Sequence, residues 1–331
     1  MTLATTYMGI PLRNPLIVGS SPLNGDLDSV KQLEDAGAAA LVLPSLYEEE
    51  ITFEQMADFF SYETYGDSFA EATSYSPDPE TAPGIDYLEH LRRVKDTVEI
   101  PVIASLNGST PGGWMSYARL MEEAGADAIE LNLYHPASDP DRSSNDVERQ
   151  MIEIIRGVKG QLKIPVAVKL APLFTAFANF ALQVDAAAAD AIVLFTRFHK
   201  VDFDVIELEV LRRVEYSTPA ELDLRLRGTA VLFGRVNASL AITGGVHSAL
   251  DVIKSTMAGA HAVQIVSALM RNGPAYLQKL QTEIEAWLIA NEWSSLNEMR
   301  GNMSFQRIPN PAVYERETFR RMFSVGVRAS G

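Results

Sequence analysis

The feature that most constrains the fold is a sequence pattern that recurs four times along the chain. Each copy is a helix-like stretch that ends in small residues and leads directly into an apolar run. The copies are Glu34–Leu43, Glu122–Leu131, Val184–Leu194 and Met257–Ile265. A glycine in three of them suits the position after a helix, where a left-handed residue ends the helix and turns the chain. Each copy therefore predicts a helix followed at once by a buried strand.

Four further apolar runs lie between these copies: Pro15–Gly19, Ile100–Ser105, Ile164–Lys169 and Ser239–Thr243. Together the two sets predict eight short strands, with helix-patterned sequence in most of the gaps. Apolar strands that alternate with helices indicate a parallel sheet covered by helices. The α/β fold predicted is a (β/α)₈ TIM barrel, and an open doubly wound sheet is the alternative. No G-x-G-x-x-G pattern follows the first strand, which weakens that alternative.

The 331 residues are long enough for two domains, but no linker or low-complexity tract divides them. We therefore expect one barrel domain over residues 1–290. Long insertions at about 45–99 and 197–222 are expected to form lids, since long loops after barrel strands cover the carboxyl ends of the strands. Residues 291–331 are expected to form a C-terminal tail packed on the barrel.

Charge and cysteine content exclude several functions. Lys and Arg number 28 against 43 Asp and Glu, giving a net charge of −15, so a broad surface for nucleic acid or an anionic membrane is not expected. Without cysteine there is no disulfide, iron–sulfur ligation or thiol nucleophile. The five histidines have no metal-ligand spacing, so we expect no metal. The chain starts without a signal-peptide pattern and has no membrane-spanning apolar run, so we expect a cytoplasmic protein.

Polar residues at the ends of the predicted strands are the candidate site, because these ends meet at one mouth of a barrel. Lys169 closes an apolar strand, where it could hold an anion or a developing negative charge. The alternative is a lysine whose stem lies on apolar surface with its amine at the rim. Asn132 could donate and accept hydrogen bonds, or could equally be a locally satisfied buried amide. His135 directly follows the fourth strand, and a histidine with an ordinary pKa of about 6.5 suits proton transfer.

The loops after the last two strands are candidates for phosphate binding. Gly244 and Gly245 follow the seventh strand, where glycines let backbone amides approach a ligand closely. Ser267 follows the eighth strand and opens a helix-like run. Barrels of this class commonly hold phosphate at these two loops. We therefore expect a dianion there.

The succession of strand ends resembles the dihydroorotate dehydrogenase family of FMN-dependent barrels. The matching segments occur in the family's order from about Leu12 to Gly301. They are Gly84–Leu88, Glu130–Pro136, Val168–Leu170, Thr243–Val246, Ala258–Ala260, Val263–Ile265, Ser267–Leu269, Gly273–Ala275 and Ser295–Gly301.

The resemblance implies an FMN across the barrel mouth and a hydride transfer between a substrate CH–CH unit and flavin N5. His135 takes the position of the family's acid/base, and Lys169 that of the lysine beside the flavin N1/O2 edge. The flavin contacts it implies are Gly19, Ser20, Ser21, Asn107, Asn132, Lys169, Gly244, Gly245 and Ser267. The substrate contacts it implies are Asn132, Tyr134, Thr196 and Arg197.

Several family positions are altered in this chain. His135 stands where relatives have a cysteine or a serine, and Ala137 replaces an asparagine that binds substrate. Pro44 replaces a lysine, and the region 74–76 has no counterpart of the substrate-loop asparagine. A site that loses polar partners binds its polar ligand much less well. We therefore predict that the substrate is not orotate.

Three functions remain open from the sequence. The first is an FMN oxidoreductase with an unidentified small-molecule substrate, and the second is a true dihydroorotate dehydrogenase of pyrimidine biosynthesis. The third is a non-catalytic barrel that acts as an interaction or regulatory subunit. Because the chain cannot ligate an iron–sulfur cluster through cysteine, electrons leaving FMN are expected to go to a separate acceptor. A homodimer is also open, since related barrels are often dimers.

Overall fold

The protein folds into a closed barrel of eight parallel strands, seen in a computed structural model that describes residues 2–53, 83–135, 137–197, 201–211 and 215–314. The barrel strands are β3 (Leu16–Val18), β4 (Ala40–Tyr47), β5 (Val102–Asn107), β6 (Ala128–Leu133), β7 (Val166–Leu170), β8 (Ala191–Leu194), β11 (Ser239–Thr243) and β12 (Ala262–Ile265). Strand β12 pairs with β3 and closes the sheet, so the predicted TIM barrel is confirmed and the open sheet is excluded.

Helices connect most of these strands, as the alternating pattern predicts. The helices of the described residues are α1 (Leu27–Asp35), α2 (Pro83–Thr97), α3 (Tyr117–Glu123), α4 (Ser144–Lys159), α5 (Phe177–Ala186), α6 (Leu222–Leu232), α7 (Ala249–Ala258), α8 (Ser267–Asn272), α9 (Tyr276–Ala290) and α10 (Leu296–Met299). Two of them begin with a capping box, in which Ser143 pairs with Asp146 and Ser248 with Asp251.

The recurring corner between helix and strand has the predicted geometry. Gly37, Gly125 and Gly259 have φ angles of 101°, 99° and 124° at the three glycine-containing corners. In the copy without glycine, Ala188 takes a φ of 67°. All four corners thus use a left-handed residue, which explains why glycine recurs in the sequence pattern.

A hairpin that the sequence did not predict lies at the amino-terminal end of the barrel. It consists of β1 (Thr5–Tyr7) and β2 (Ile10–Leu12), paired antiparallel. Tyr7, Met8 and Leu12 pack with inward-facing residues of the barrel strands, many of them alanine. Small side chains inside the barrel therefore leave room for the hairpin to fill this end of the core.

Strand β4 extends farther than the sequence predicts. The apolar run ends at Leu43, but the strand continues to Tyr47 beside β5. The register shifts between Val42 and Ser45, where Pro44 cannot donate a hydrogen bond to the ladder. The residues after Pro44 thus still belong to the barrel wall, and residues 48–53 begin a helix. The rest of the first predicted lid, residues 54–82, lies outside the described residues.

The second predicted insertion carries another hairpin, β9 (Asp202–Asp204) with β10 (Glu209–Leu211). Phe203 and Val210 face each other across its strands and are 62% and 57% exposed. Its outer turn exposes Ile206 and Leu208 as well. This hairpin therefore presents an apolar surface to solvent.

The segment after residue 291 contacts the barrel in its described part, which ends at residue 314. Leu296 and Met299 are buried, and the backbone N–H of Gly301 donates to the Thr256 carbonyl at 3.0 Å. Farther on, the N–H of Phe305 donates to the Ala230 carbonyl at 2.9 Å. None of the described helices is long and apolar enough to cross a bilayer.

His261, at the start of β12, should make the fold sensitive to acid. Its Nδ1 accepts from the N–H of Leu240 at 3.0 Å, and burial, with the charge of Arg300, lowers its pKa to about 4. Unfolding exposes an ordinary histidine with a pKa of about 6.5, so the unfolded state binds the proton first as pH falls. His261 therefore contributes stability above about pH 6.5 that is lost progressively towards its folded pKa.

We expect the free energy of unfolding to fall by about 3 kcal/mol more in the wild type than in His261→Asn between about pH 7 and pH 4. Asparagine retains an acceptor for the Leu240 N–H but does not titrate. Urea denaturation at a series of pH values measures this difference. Parallel pH profiles for the two proteins would show that His261 does not titrate on unfolding.

Candidate active site

A cavity of about 320 Å³ opens at the carboxyl ends of β3, β7, β8, β11 and β12. Its volume lies within the range of about 300–1,000 Å³ that is usual for small-molecule sites. The walls combine strand ends with the second insertion and the start of α8. The lining residues are Ser20, Ser21, Pro22, Lys169, Thr196, Arg197, Glu215, Tyr216, Ser217, Thr243, Gly244, Val246, Gln264, Val266, Ser267 and Met270.

The cavity brings together about half of the predicted site residues. Those that line it are Ser20, Ser21, Lys169, Thr196, Arg197, Gly244 and Ser267. Gly19 and Gly245 precede or follow lining residues in the chain. Asn107 and Asn132 do not line the cavity but stand level with Lys169 on adjacent strands, in the register Asn107, Asn132, Lys169.

A buried charge cluster forms one wall of the cavity. The Lys169 ammonium lies 3.1 Å from Oε1 of Glu130, a carboxylate that is 1% exposed. The side-chain N–H of Gln264 donates to the other oxygen of the same carboxylate. Since Lys169 and Gln264 both line the cavity, Glu130 holds two of its polar side chains in place.

Sequence reasoning missed Glu130 and Gln264 as site residues. Both are polar positions within buried strands, Ala128–Leu133 and Ala262–Ile265. A charged residue in such a strand needs a buried partner. Lys169 lies 39 positions farther along the chain and becomes a candidate only once the strand pairing is known. The strand register, in which Glu130 pairs with Ala167 two residues before Lys169, supplies that information.

Two tyrosines surround the buried carboxylate. Burial raises the pKa of Tyr7 well above its ordinary value, and the charge of Glu130 raises it further. Burial and Glu130 also raise the pKa of Tyr87, whose hydroxyl oxygen accepts from the N–H of Ser105 at 2.8 Å. Both side chains therefore remain neutral phenols, and Lys169 is the charged group that faces Glu130.

Three buried oxygens at or beside the cavity have no hydrogen-bond partner among the described residues. They are Oγ of Ser21, Oδ1 of Asn132 and Oε1 of Gln264. Buried polar atoms are nearly always paired in native proteins. These atoms therefore suit a polar ligand that supplies hydrogen-bond donors.

Gly244 and Gly245 allow the backbone to turn at the opposite wall. Their φ angles are 81° and 79°, in the left-handed region that favours glycine. A Cβ at Gly245 would lie 2.5 Å from the backbone nitrogen of Leu222, and one at Gly244 would lie 2.9 Å from Nη2 of Arg225. Both positions therefore favour glycine, and an added Cβ would force the backbone to shift at Gly245.

Arg225 fixes this glycine turn from behind. Its guanidinium donates to the carbonyl of Thr243, to that of Glu221 at 2.6 Å and to that of Phe195 at 3.2 Å. Ser267 is also engaged, because its Oγ accepts from the N–H of Ser217 at 2.9 Å. The turn and the second insertion are thus held as one wall.

Arg197 stands at the entrance to the second insertion. Its Nε lies 3.3 Å from Oε2 of Glu221, and its guanidinium also donates to the Glu215 carbonyl. The two ends of the insertion are thereby joined at the cavity. Thr196 is positioned by its N–H, which donates to the Leu170 carbonyl at 2.9 Å.

His135 lies in a second cavity, of about 270 Å³, which shares no lining residue with the first. Its Nδ1 accepts from the N–H of Ala137 at 2.9 Å, and Nη1 of Arg142 lies 3.4 Å from its Nε2. Burial and the Arg142 charge lower its pKa. His135 is therefore neutral near pH 7. That His135 acts in the same mouth as Lys169 stays a prediction.

Tyr134, which precedes it, is half-buried and lines neither of these two cavities. Across residues 2–53, 83–135, 137–197, 201–211 and 215–314, no group of three or more His, Asp or Glu residues could hold a metal ion.

Comparison with known proteins agrees with this architecture. The sequence model of the family "Dihydroorotate dehydrogenase" matches residues 81–288. The chain belongs to the dihydroorotate dehydrogenase family. It is therefore an oxidoreductase of that family, and the resemblance seen in the strand ends is confirmed.

Individual family members align over most of their length. A protein of Thermoplasma volcanium is 28% identical over 316 residues, covering 90% of this chain and 97% of that protein. One from Thermoplasma acidophilum is 29% identical over 312 residues, with 90% and 98% covered. One from Methanothermobacter thermautotrophicus is 27% identical over 314 residues, with 90% and 97% covered. All three are named dihydroorotate dehydrogenase B (NAD(+)), catalytic subunit.

Gly245→Ala should test how closely the glycine turn is packed. Gly9→Ala is the matched control, since Gly9 has a φ of 77° but no atom within 4 Å of an added Cβ. Both variants should lose about 1 kcal/mol through backbone strain. Gly245→Ala should lose a further ~1–3 kcal/mol because its Cβ overlaps Leu222. Thermal denaturation compares the two, and equal losses would show that the turn has room to adjust.

Proposed function

We propose that the protein is an FMN-dependent oxidoreductase that transfers a hydride between a CH–CH unit of a small substrate and the flavin in the cavity lined by Lys169. The observation that carries this proposal is the cluster of Lys169, Gln264 and Glu130 in the wall of that cavity. It combines a fixed cation with a buried acceptor that has no partner in the described part of the chain, in a protein of this family.

The residues present fit FMN in two respects. The unpaired oxygens of Ser21, Asn132 and Gln264 match a cofactor that carries N–H and hydroxyl donors. The wall made by Gly244 and Ser267 offers backbone and hydroxyl groups for a phosphate. When bound, FMN would supply the hydride acceptor. The chain's own contribution is Lys169, whose positive charge stabilises negative charge that accumulates at the neighbouring ligand edge.

Dihydroorotate is the substrate that the comparisons favour, because the three relatives named above are dihydroorotate dehydrogenases. We therefore propose oxidation of dihydroorotate to orotate as the first activity to test. A different small substrate is the second candidate, favoured by Ala137 and His135 at positions where the family has polar substrate-binding and base residues. That the substrate is not orotate stays a prediction.

A separate electron acceptor is part of the proposal. The relatives are named as catalytic subunits of NAD(+)-linked enzymes, which implies that each works with another subunit. The absence of cysteine in this chain means that any iron–sulfur relay must lie on another protein.

The purified protein should bind FMN and reduce a dye with dihydroorotate as the electron donor. Flavin absorbance and dye reduction under anaerobic conditions measure the two steps separately. Flavin binding without turnover of dihydroorotate would favour the second candidate substrate. A protein that binds no FMN would overturn the proposal.

Lys169→Ala should lower the midpoint potential of the bound flavin, because the variant lacks the cation that stabilises negative charge on reduction. Spectroelectrochemical titration measures the potential directly. Lys159→Ala is the control, since Lys159 pairs with Asp190 at the other end of the barrel strands. Equal potentials for wild type and Lys169→Ala would remove Lys169 from the proposed role.

His135→Ala should leave FMN bound but slow flavin reduction by the substrate about 10²-fold if His135 is the base. Because burial and Arg142 lower its pKa, the base form persists below the usual histidine range. The wild-type rate should therefore decline only when pH falls below the ordinary histidine pKa of about 6.5. Stopped-flow reduction across pH measures both effects, and an unchanged rate in the variant would exclude His135 from proton transfer.

A further inference from the structure

We infer that Glu130 is a positioning residue that fixes a donor and an acceptor side by side in the cavity wall, for a ring edge in which an N–H adjoins a carbonyl. This inference deepens the proposed function and rests on it. Lys169 supplies the donor, and the side-chain carbonyl of Gln264 supplies the acceptor.

The orientation of the Gln264 amide follows from the chemistry of its partner. A carboxylate can only accept hydrogen bonds, so the nitrogen of the amide must face Glu130. Oε1 of Gln264 is then directed away from the carboxylate, and it is buried with no hydrogen-bond partner among the described residues. A buried carbonyl oxygen in this state suits a ligand that supplies a donor.

Gly19 packs closely against Gln264. A Cβ at Gly19 would lie 2.8 Å from Cγ2 of Val266 and 3.3 Å from Cβ of Gln264. Glycine therefore suits this close packing, and Ser20 and Ser21 continue the same wall. The conformation of Gln264 is set by Glu130 on one side and by this close packing on the other.

Lys169 supplies the hydrogen-bond donor of the pair, and Glu130 holds its ammonium in place. Its ammonium lies 3.1 Å from Oε1 of Glu130, and its strand register places it beside Asn132. An ammonium has three donors and no acceptor, so those not used by Glu130 remain for a ligand oxygen or an unprotonated nitrogen. One carboxylate thus orients both groups, each through a different oxygen.

The resulting pair selects a cyclic amide or imide edge. The ring N–H would donate to Gln264, and the adjacent carbonyl oxygen would accept from Lys169. The pyrimidine ring of a flavin and the ring of dihydroorotate both carry this edge. The geometry of the wall therefore defines the chemistry recognised, and the two sources are separated by experiment.

The test compares each ligand with its N-methylated form, which lacks the N–H. FMN and N3-methyl-FMN are titrated into the apoprotein, and orotate and ring-N-methylated orotate into the FMN-loaded protein. The wild type should bind the N–H form about tenfold or more tightly in one of the two series. The series that shows the preference identifies the source of the edge.

Two variants separate recognition from simple crowding by the methyl group. Gln264→Leu keeps a side chain of comparable volume without an acceptor, so the ratio of affinities for the N–H and N-methylated forms should fall towards one. Glu130→Gln keeps the shape of Glu130 but can donate to Gln264, which frees the Gln264 amide to turn its nitrogen to the cavity. The preference should fall in Glu130→Gln as well, although position 264 is unaltered.

Asp127→Asn is the matched control, because it also replaces a lysine-paired carboxylate by an amide. Asp127 pairs with Lys95 at 2.6 Å and accepts from the N–H of Val102, at the opposite end of the barrel. For the Asp127→Asn variant, the ratio of affinities for the N–H and N-methylated forms should equal that of the wild type, whatever the stability of the variant.

The outcomes distinguish this inference from the proposed function. A protein that binds FMN but keeps the same preference ratio in both Gln264→Leu and Glu130→Gln retains the proposed function and overturns the inference. A wild type that binds no FMN overturns the proposed function, and the orotate series in the unloaded protein then decides the inference. A wild type with no preference for the N–H form of either ligand also overturns the inference.

Discussion

The buried carboxylate of Glu130 is the constraint on which the proposed site depends. A charge that is 1% exposed inside a barrel is very costly unless it is paired and hydrogen-bonded. Glu130 meets that requirement with the Lys169 ammonium and the Gln264 amide, both of which line the cavity. The need to satisfy one interior charge thus fixes two of the groups that face a ligand.

The barrel provides this position through its alternation of inward and outward residues. Ala128 and Ala167 face the interior near the amino-terminal end, where the β1–β2 hairpin and Tyr7 fill the space. Farther along the same strands stand Glu130 and Lys169. The interior near the amino-terminal ends of the strands is therefore apolar and filled, and polar side chains follow towards the cavity. A cavity at the carboxyl ends of the strands follows from this arrangement.

The opposite wall depends on backbone geometry more than on charge. Gly244 and Gly245 turn in a conformation that favours glycine, and Arg225 bonds the carbonyls behind them. Arg197 and Glu221 join this wall to the second insertion. The cavity therefore has one wall set by a buried ion pair and one set by a glycine turn.

The sequence predicted most of the barrel because its signals are local. A left-handed corner before an apolar run is visible without knowing what the strand contacts, and it appears at Gly37, Gly125 and Gly259. Strand ends then located Lys169, Gly244 and Ser267. The hairpin at Tyr7 and the extension of β4 past Pro44 depend on tertiary packing, which local patterns do not report.

The site was less predictable than the fold because it depends on pairs of residues that are distant in the sequence. Glu130 and Gln264 are 134 positions apart and become partners only when the barrel closes. His135 is adjacent to strand β6 in sequence, yet its loop carries it into a neighbouring cavity beside Arg142. Sequence position thus predicted the end of the barrel at which the cavity opens but not which residues line it.

A crystal structure of the protein grown with FMN would show which cavity the flavin occupies. We expect the flavin in the cavity lined by Lys169, with the N–H and carbonyl edge of a bound ring at Gln264 and Lys169 and the phosphate beside Gly244 and Ser267. A flavin bound in the cavity of His135, or ordered FMN that contacts neither Lys169 nor Gly244, would contradict this expectation.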